Sequence, residues 1–172
     1  MPIDPRMAKR LAREVENAYN CVDPYVWYRP VDKENQSWHF TVRGPKGSPF
    51  EGGVYHGRIV LPNNYPIGAP DFYFLTENGR YTINQKICLS ISGFHLNTWQ
   101  PATTIEAMVR MIQVFLEDYS ENRFGVSYIE TSVSERRYLA KKSRSYCCPI
   151  CGQIVDHLAP LPDEKLSVCY YS

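Results

Sequence analysis

The chain has 172 residues, 19 of them basic and 18 acidic, for a formal net charge of +1. That length suits one domain with a short appendage, long enough to bury a core without covalent staples. A charge near zero argues against a nucleic-acid or membrane-surface footprint, and the 44% hydrophobic content excludes a disordered chain. No run is apolar over the ~20 residues a membrane helix needs, and Met1 to Arg13 lacks the apolar stretch of a secretory signal. The expected location is therefore cytoplasmic or nuclear, with the six cysteines reduced.

In chain order, Asp4 is a good N-cap and Pro5 suits the first helical position. Met7, Leu11, Val15, Ala18 and Tyr19 follow at helical spacing, with Lys9, Arg10, Arg13 and Glu16 largely on the other face, and Asn20 and Pro24 close the helix. Tyr25 to Arg29 reads as a first strand. Trp38, Phe40 and Val42 alternate with His39, Thr41 and Arg43 in a second, and residues 44–49 form a Gly/Pro turn. Tyr55, Ile59 and Leu61 share one face of a third, and Phe72 to Leu75 is a fourth, wholly apolar run. Close sequential strands with such turns predict an antiparallel meander.

From Thr76 to Trp99 no period of 2 or 3.6 is visible, and an irregular stretch of that length inside a domain is usually functional. Helical spacing returns at Thr103, where Thr103 and Glu106 have capping-box spacing ahead of Ile105, Met108, Ile112, Phe115 and Leu116. A polar stretch, 118–127, precedes a second box, Ser132 and Glu135, which opens a basic helix through Lys142. After Ser145 the composition shifts to Cys and Pro, which places a boundary there: a folded unit over 1–145 and a tail over 146–172. The fold class is α+β, with helices at both ends of the sheet.

Within the irregular stretch, Cys88 is either a small buried hydrophobe or a nucleophile. Attack on an acyl group needs donors for the oxyanion, and Asn78 and Asn84 are the upstream amides available. His95, seven residues on, could take a proton from an incoming hydroxyl or amine, or could be a solvated loop residue.

Three ordered segments carry a resemblance. They are Trp38 to Pro45 with Phe50 to Tyr55; Leu61-Pro62 through Tyr65-Pro66 to Ala69-Pro70; and Ile87-Cys88-Leu89-Ser90-Ile91 with Trp99-Gln100-Pro101-Ala102. In order and spacing they resemble the ubiquitin-conjugating enzymes over residues 4 to 145. Thr76 to Tyr81, Cys88-Leu89-Ser90, Phe94 to Trp99, Ser134 to Ser143, and Cys147-Cys148 with Cys151-Gly152 resemble the J-type, endoplasmic-reticulum-associated branch.

The resemblance implies the ubiquitin-conjugating fold and a thioester-forming transferase. Cys88 would accept ubiquitin from an activating enzyme, and a RING-type ligase would direct it to Lys, or to Ser or Thr, of substrates in endoplasmic-reticulum-associated degradation. The activating enzyme spends ATP, so no cofactor is expected here. Asn78 is favoured over Asn84 as the oxyanion or loop-organising amide, although Thr76-Glu77-Asn78 departs from the family's His-Pro-Asn. Lys9, Arg10 and Arg13 match the surface that meets the activating enzyme; Leu61-Pro62 and Pro101-Ala102 match the two ligase-facing loops. A monomer is implied, on the cytosolic face of the endoplasmic reticulum if the parent protein carries a C-terminal anchor. The alternative is a catalytically inactive module of the same fold that binds ubiquitin or acts as a scaffold.

In the tail, Cys148-Pro149-Ile150-Cys151-Gly152 has the spacing of one zinc knuckle, with His157 or Cys169 as candidates to complete four ligands. A lone knuckle does not define a site, so the expectation is a flexible tail with reduced thiols and no metal.

Overall fold

The computed structural model describes residues 3–87, 99–117 and 127–162. Helix α1 spans Pro5–Asn20. The Asp4 side chain accepts from the Arg6 N–H at 2.7 Å, so the predicted cap and the proline at the first turn both act as expected. Met7, Leu11 and Ala18 are buried, but so is Glu14, which the spacing did not single out, while Tyr19 is exposed.

Four strands follow: β1 (Val26–Pro30), β2 (Ser37–Arg43), β3 (Val54–Val60) and β4 (Asp71–Phe74). They form one antiparallel sheet in the order 1-2-3-4, the predicted meander. Registers Tyr28↔Phe40 and Phe40↔Gly57 bring Tyr28 and Phe40 to one face, where Trp38, Ile59 and Phe74 add to the main core. Helix α2 (Ile105–Phe115) packs on β1 and β2 from this side through Ile105, Met108, Val109 and Ile112. Its cap is Thr104, whose hydroxyl accepts from the Ala107 N–H at 3.1 Å, one residue beyond the predicted Thr103. The capping box thereby shifts out of register, because Ala107 rather than Glu106 occupies the third position. Helix α3 (Val133–Ser143) is capped as predicted, Ser132 Oγ accepting from the Glu135 N–H at 3.1 Å.

Alternation fails in β2, where every residue from Trp38 to Arg43 is buried. Its second face, bearing His39, Thr41 and Arg43, is covered by the segment that follows α3. That segment, expected as a flexible tail, is folded through its described part: a hairpin of β5 (Cys147–Cys148) and β6 (Gly152–Gln153), then a 3-10 turn over Ile154–His157. Cys148, Ile154 and Leu158 pack with Val54 in a second core, joined by Trp27, Tyr146 and Cys151. His157 stacks on Trp27 with ring centroids 3.8 Å apart. Apolar cover on this face removes the solvent a polar row of side chains normally needs, so His39 and Thr41 bond to His56, Thr41 also to His157, and Arg43 donates to the carbonyls of Pro24 and Ala159. Among the described residues, no helix is long and apolar enough to cross a membrane.

Asp23 joins these layers. Its carboxylate accepts from the Tyr25 and Val26 N–H groups at 2.7 and 3.2 Å and from Arg110 at 2.9 Å, and its carbonyl accepts from Ala159. Burial alone would raise its pKa; the Arg110 and backbone bonds outweigh that and hold it below the usual carboxylate range. A depressed carboxylate stabilises the fold above its unfolded pKa of about 3.9 and loses that contribution as pH falls through the folded value. Asp23→Asn is therefore expected to reduce stability at neutral pH by about 1–2 kcal/mol. The gap between parent and variant should close in strong acid, as read by urea titrations from pH 7 to pH 2.

Candidate active site and partner surfaces

The irregular stretch is not loose where it is described. Asn78 is fully buried, and its side-chain oxygen accepts from the Arg80 and Tyr81 N–H groups at 2.8 and 2.7 Å. Its amide nitrogen donates to the Thr76 carbonyl at 3.1 Å. Gly79 sits at φ +81°, and a Cβ there would meet Thr131 Oγ1 at 2.8 Å. Both Thr131 and Arg136 donate to the Gly79 carbonyl, so the turn is fastened to the start of α3. Tyr81 then stacks on Phe74, centroids 5.7 Å apart, and pairs with Tyr128.

The chain next returns along β4. The N–H groups of Asn84 and Ile87 donate to Phe74 and Phe72 at 2.8 and 2.9 Å, and Ile87 is buried in the main core. Ile87 is thus a fixed point immediately before Cys88. On the far side, the Trp99 indole donates to the Pro66 carbonyl at 2.8 Å. Cys88 and His95 themselves lie outside the described residues.

Of the two candidate amides, Asn78 is spent on its own turn: its oxygen takes two backbone donors and its nitrogen gives to a third backbone group. Asn84 is exposed at φ +59°, and with His39, Tyr146 and Cys148 it borders a cleft of about 400 Å³ on the outer sheet face. The Asn78 side chain is thus built into the turn ahead of the Cys88 segment, whereas Asn84 joins that framework through its backbone N–H alone.

The three basic residues of α1 separate. Lys9 and Arg13 are exposed. Arg10 is half-buried and donates to the carbonyls of Pro101 and Thr103, both at 2.7 Å, and to Tyr65 Oη at 3.3 Å. Glu14, 1% exposed, aligns it: one carboxylate oxygen accepts from Arg10 Nε at 2.9 Å and the other from the Ile105 N–H at 3.1 Å. The carboxylate thereby caps α2 and helps fix the Pro101-Ala102 loop to α1.

The two loops also differ from expectation in one place. Pro101 and Ala102 are exposed and Pro62 is half-buried, but Leu61 is only 3% exposed and belongs to the main core. Closing the end of β3, Leu61 has no surface to offer a partner. Ile67, 72% exposed beside Pro66, is the apolar side chain that loop presents instead. An isoleucine inside the turn-rich Tyr65-Pro66-Ile67-Gly68 sequence was the available signal for it.

The family model for ubiquitin-conjugating enzymes matches residues 10–146. Human ubiquitin-conjugating enzyme E2 J1 is 46% identical over 154 residues, covering 89% of this chain and 48% of that protein. Human E2 J2 is 36% identical over 123 residues, covering 72% and 46%. Among solved structures, the E2 domain of a Toxoplasma gondii ubiquitin-conjugating enzyme superposes with a TM-score of 0.63 at 25% identity, covering 80% of this chain and 98% of that one. The chain belongs to the ubiquitin-conjugating enzyme family. Within it, the chain is of the J type. It spans about half the length of the curated relatives it matches.

Proposed function

We propose that the chain carries ubiquitin as a thioester on Cys88 and passes it to an amine or hydroxyl of a substrate. The observation that carries this reading is the family match over residues 10–146 with Cys88 in its Ile-Cys-Leu-Ser setting, one residue after the anchored Ile87. The thiolate attacks the activating enzyme's ubiquitin thioester carbonyl. The oxyanion intermediate collapses with loss of the activating enzyme's thiolate, leaving the acyl group on Cys88. The acceptor then repeats the attack and the Cys88 thiolate leaves. Asn78 is proposed to hold the loop in which this happens, and His95 to take the acceptor's proton.

Lys9 and Arg13 are offered for docking of the activating enzyme, with Arg10 setting the geometry of the adjoining loop. Pro62, Ile67, Pro101 and Ala102 are offered to a RING-type ligase, rigid prolines lowering the ordering cost of the contact. No cofactor of its own is needed. The J-type resemblance supports work at the cytosolic face of the endoplasmic reticulum.

Incubation with activating enzyme, ATP and ubiquitin should give an adduct that reductant cleaves. Cys88→Ser should give a reductant-resistant oxyester, and Cys88→Ala no adduct. Persistence of the adduct in Cys88→Ala would move the acceptor to another cysteine, such as Cys21, and end this assignment.

A further inference from the structure

On the outer face of the sheet, remote in sequence from Cys88, four side chains converge. His39 of β2 and His56 of β3 lie on one face as diagonal neighbours, because Thr41 pairs with His56. The hairpin after α3 brings Cys148 and Cys151 over them. One ligating atom from each of the four lies within 4.8 Å of every other. His39 Nδ1 is 3.1 Å from His56 Nε2, 3.6 Å from Cys148 Sγ and 3.4 Å from Cys151 Sγ. A tetrahedral zinc, with Zn–N of ~2.0 Å and Zn–S of ~2.3 Å, sets ligand edges of about 3.3 Å between nitrogens and about 3.5 Å between nitrogen and sulfur.

We propose that His39, His56, Cys148 and Cys151 form a structural zinc(II) site that clamps the C-terminal hairpin to the sheet. Four protein ligands leave no open position, as a structural rather than catalytic zinc requires, and the Cys2His2 set is suited to zinc. His39, His56 and Cys148 are buried and Cys151 is half-buried.

The hydrogen-bond network fixes which nitrogen His56 offers. His157 Nε2 is 2.9 Å from the Cys151 carbonyl, so it carries the proton and its Nδ1 is an acceptor. Thr41 Oγ1 lies 2.9 Å from that Nδ1 and must donate to it. The same hydroxyl, 2.9 Å from His56 Nδ1, can then only accept there. His56 thus carries its proton on Nδ1 and turns a bare Nε2 lone pair to the cluster. Metal-bound histidines are held in this way by partners beyond the ligand shell. Without a metal, His39 Nδ1 can donate to His56 Nε2, but it then has no lone pair for either thiol. An ion is the one partner that uses a lone pair from all four.

Sequence spacing showed only half of this set. The Cys-Pro-Ile-Cys-Gly knuckle is real as a hairpin, with Gly152 at φ +80°, but the partners are His39 and His56, with His157 one shell out.

The test is metal analysis of the full chain, purified under reducing conditions without added chelator. Zinc near one equivalent per chain is expected, retained in Cys21→Ser and in Cys147→Ser, whose parent thiol is exposed. Cys148→Ser, Cys151→Ser and His39→Ala should each lose it. Cobalt(II) in place of zinc should show the intense d–d bands of a tetrahedral centre and sulfur-to-cobalt charge transfer, a readout on the unmutated chain independent of variant folding. His157→Ala should keep the metal with affinity lowered about 10–100-fold. A metal-free parent that also fails to take up cobalt, a Cys148–Cys151 disulfide in its place, or full zinc in the Cys148 and Cys151 variants would each overturn the site.

Discussion

Replacing Glu14 with alanine is expected to lower the free energy of unfolding by about 3–5 kcal/mol. The carboxylate is out of solvent and answers two donors, the Arg10 guanidinium and the Ile105 N–H at the start of α2. Alanine removes the anion and leaves a half-buried cation beside an unanswered helix terminus. Glutamine keeps one acceptor and should recover part of the loss. The damage should reach beyond stability. Arg10 also holds the carbonyls of Pro101 and Thr103, so loosening it frees the loop proposed above for ligase docking. Chemical denaturation measures the first effect. Ligase-stimulated discharge measures the second, and it should fall more than loading of Cys88. A loss below about 1 kcal/mol would mean that water replaces the carboxylate at no great cost.

Asn78→Ala is expected to cost about 2–4 kcal/mol and, by misplacing the loop rather than by removing an oxyanion donor, to slow discharge on the order of 10²-fold. Three backbone groups, the N–H of Arg80, the N–H of Tyr81 and the carbonyl of Thr76, lose their partner inside the protein. The turn they define is pinned to Thr131 and Arg136 and leads into the strand-like return that fixes Ile87. Because the amide is committed to this turn, loading and discharge should both suffer. Discharge should suffer more, since it needs the acceptor placed against the Cys88 carbonyl. Single-turnover discharge to free lysine and to free serine, compared with loading rates, reads the split. An unimpaired Asn78→Ala with an impaired Asn84→Ala would transfer the role to Asn84.

How much of this was legible in the sequence depended on range. Helix α1 and the meander were readable because apolar period and turn chemistry are local. Thr103 and Thr104 offered the same hydroxyl to the same helix, and nothing local separates adjacent threonines. Glu14 looked like any charge on an amphipathic helix; its burial follows from an α2 terminus about ninety residues away. Leu61 could be matched by resemblance to a partner loop, but resemblance transfers position, not exposure. The alternation of His39, Thr41 and Arg43 with apolar residues showed a strand but not what covers its polar side. Their burial is imposed by a segment more than a hundred residues later. The motifs around Cys88 carried the family resemblance that the match over residues 10–146 bears out, because short runs of neighbouring residues can be read without knowing the fold, while Cys88 itself lies outside the described residues.

The outer face also has a bearing on the order of assembly. The meander closes through pairings between neighbouring strands, whereas the link from Thr41 to His157 closes a loop of 116 residues. Ring closure over so long a span costs more chain entropy than any hairpin turn, and it yields nothing until the surface it docks against exists. On that ground the sheet is expected to form before the cover on its second face. During synthesis the histidine side stays open until the β5–β6 hairpin has left the ribosome, and until then imidazoles that are buried in the folded domain stand in water, ready to meet an ion before they meet their cysteines.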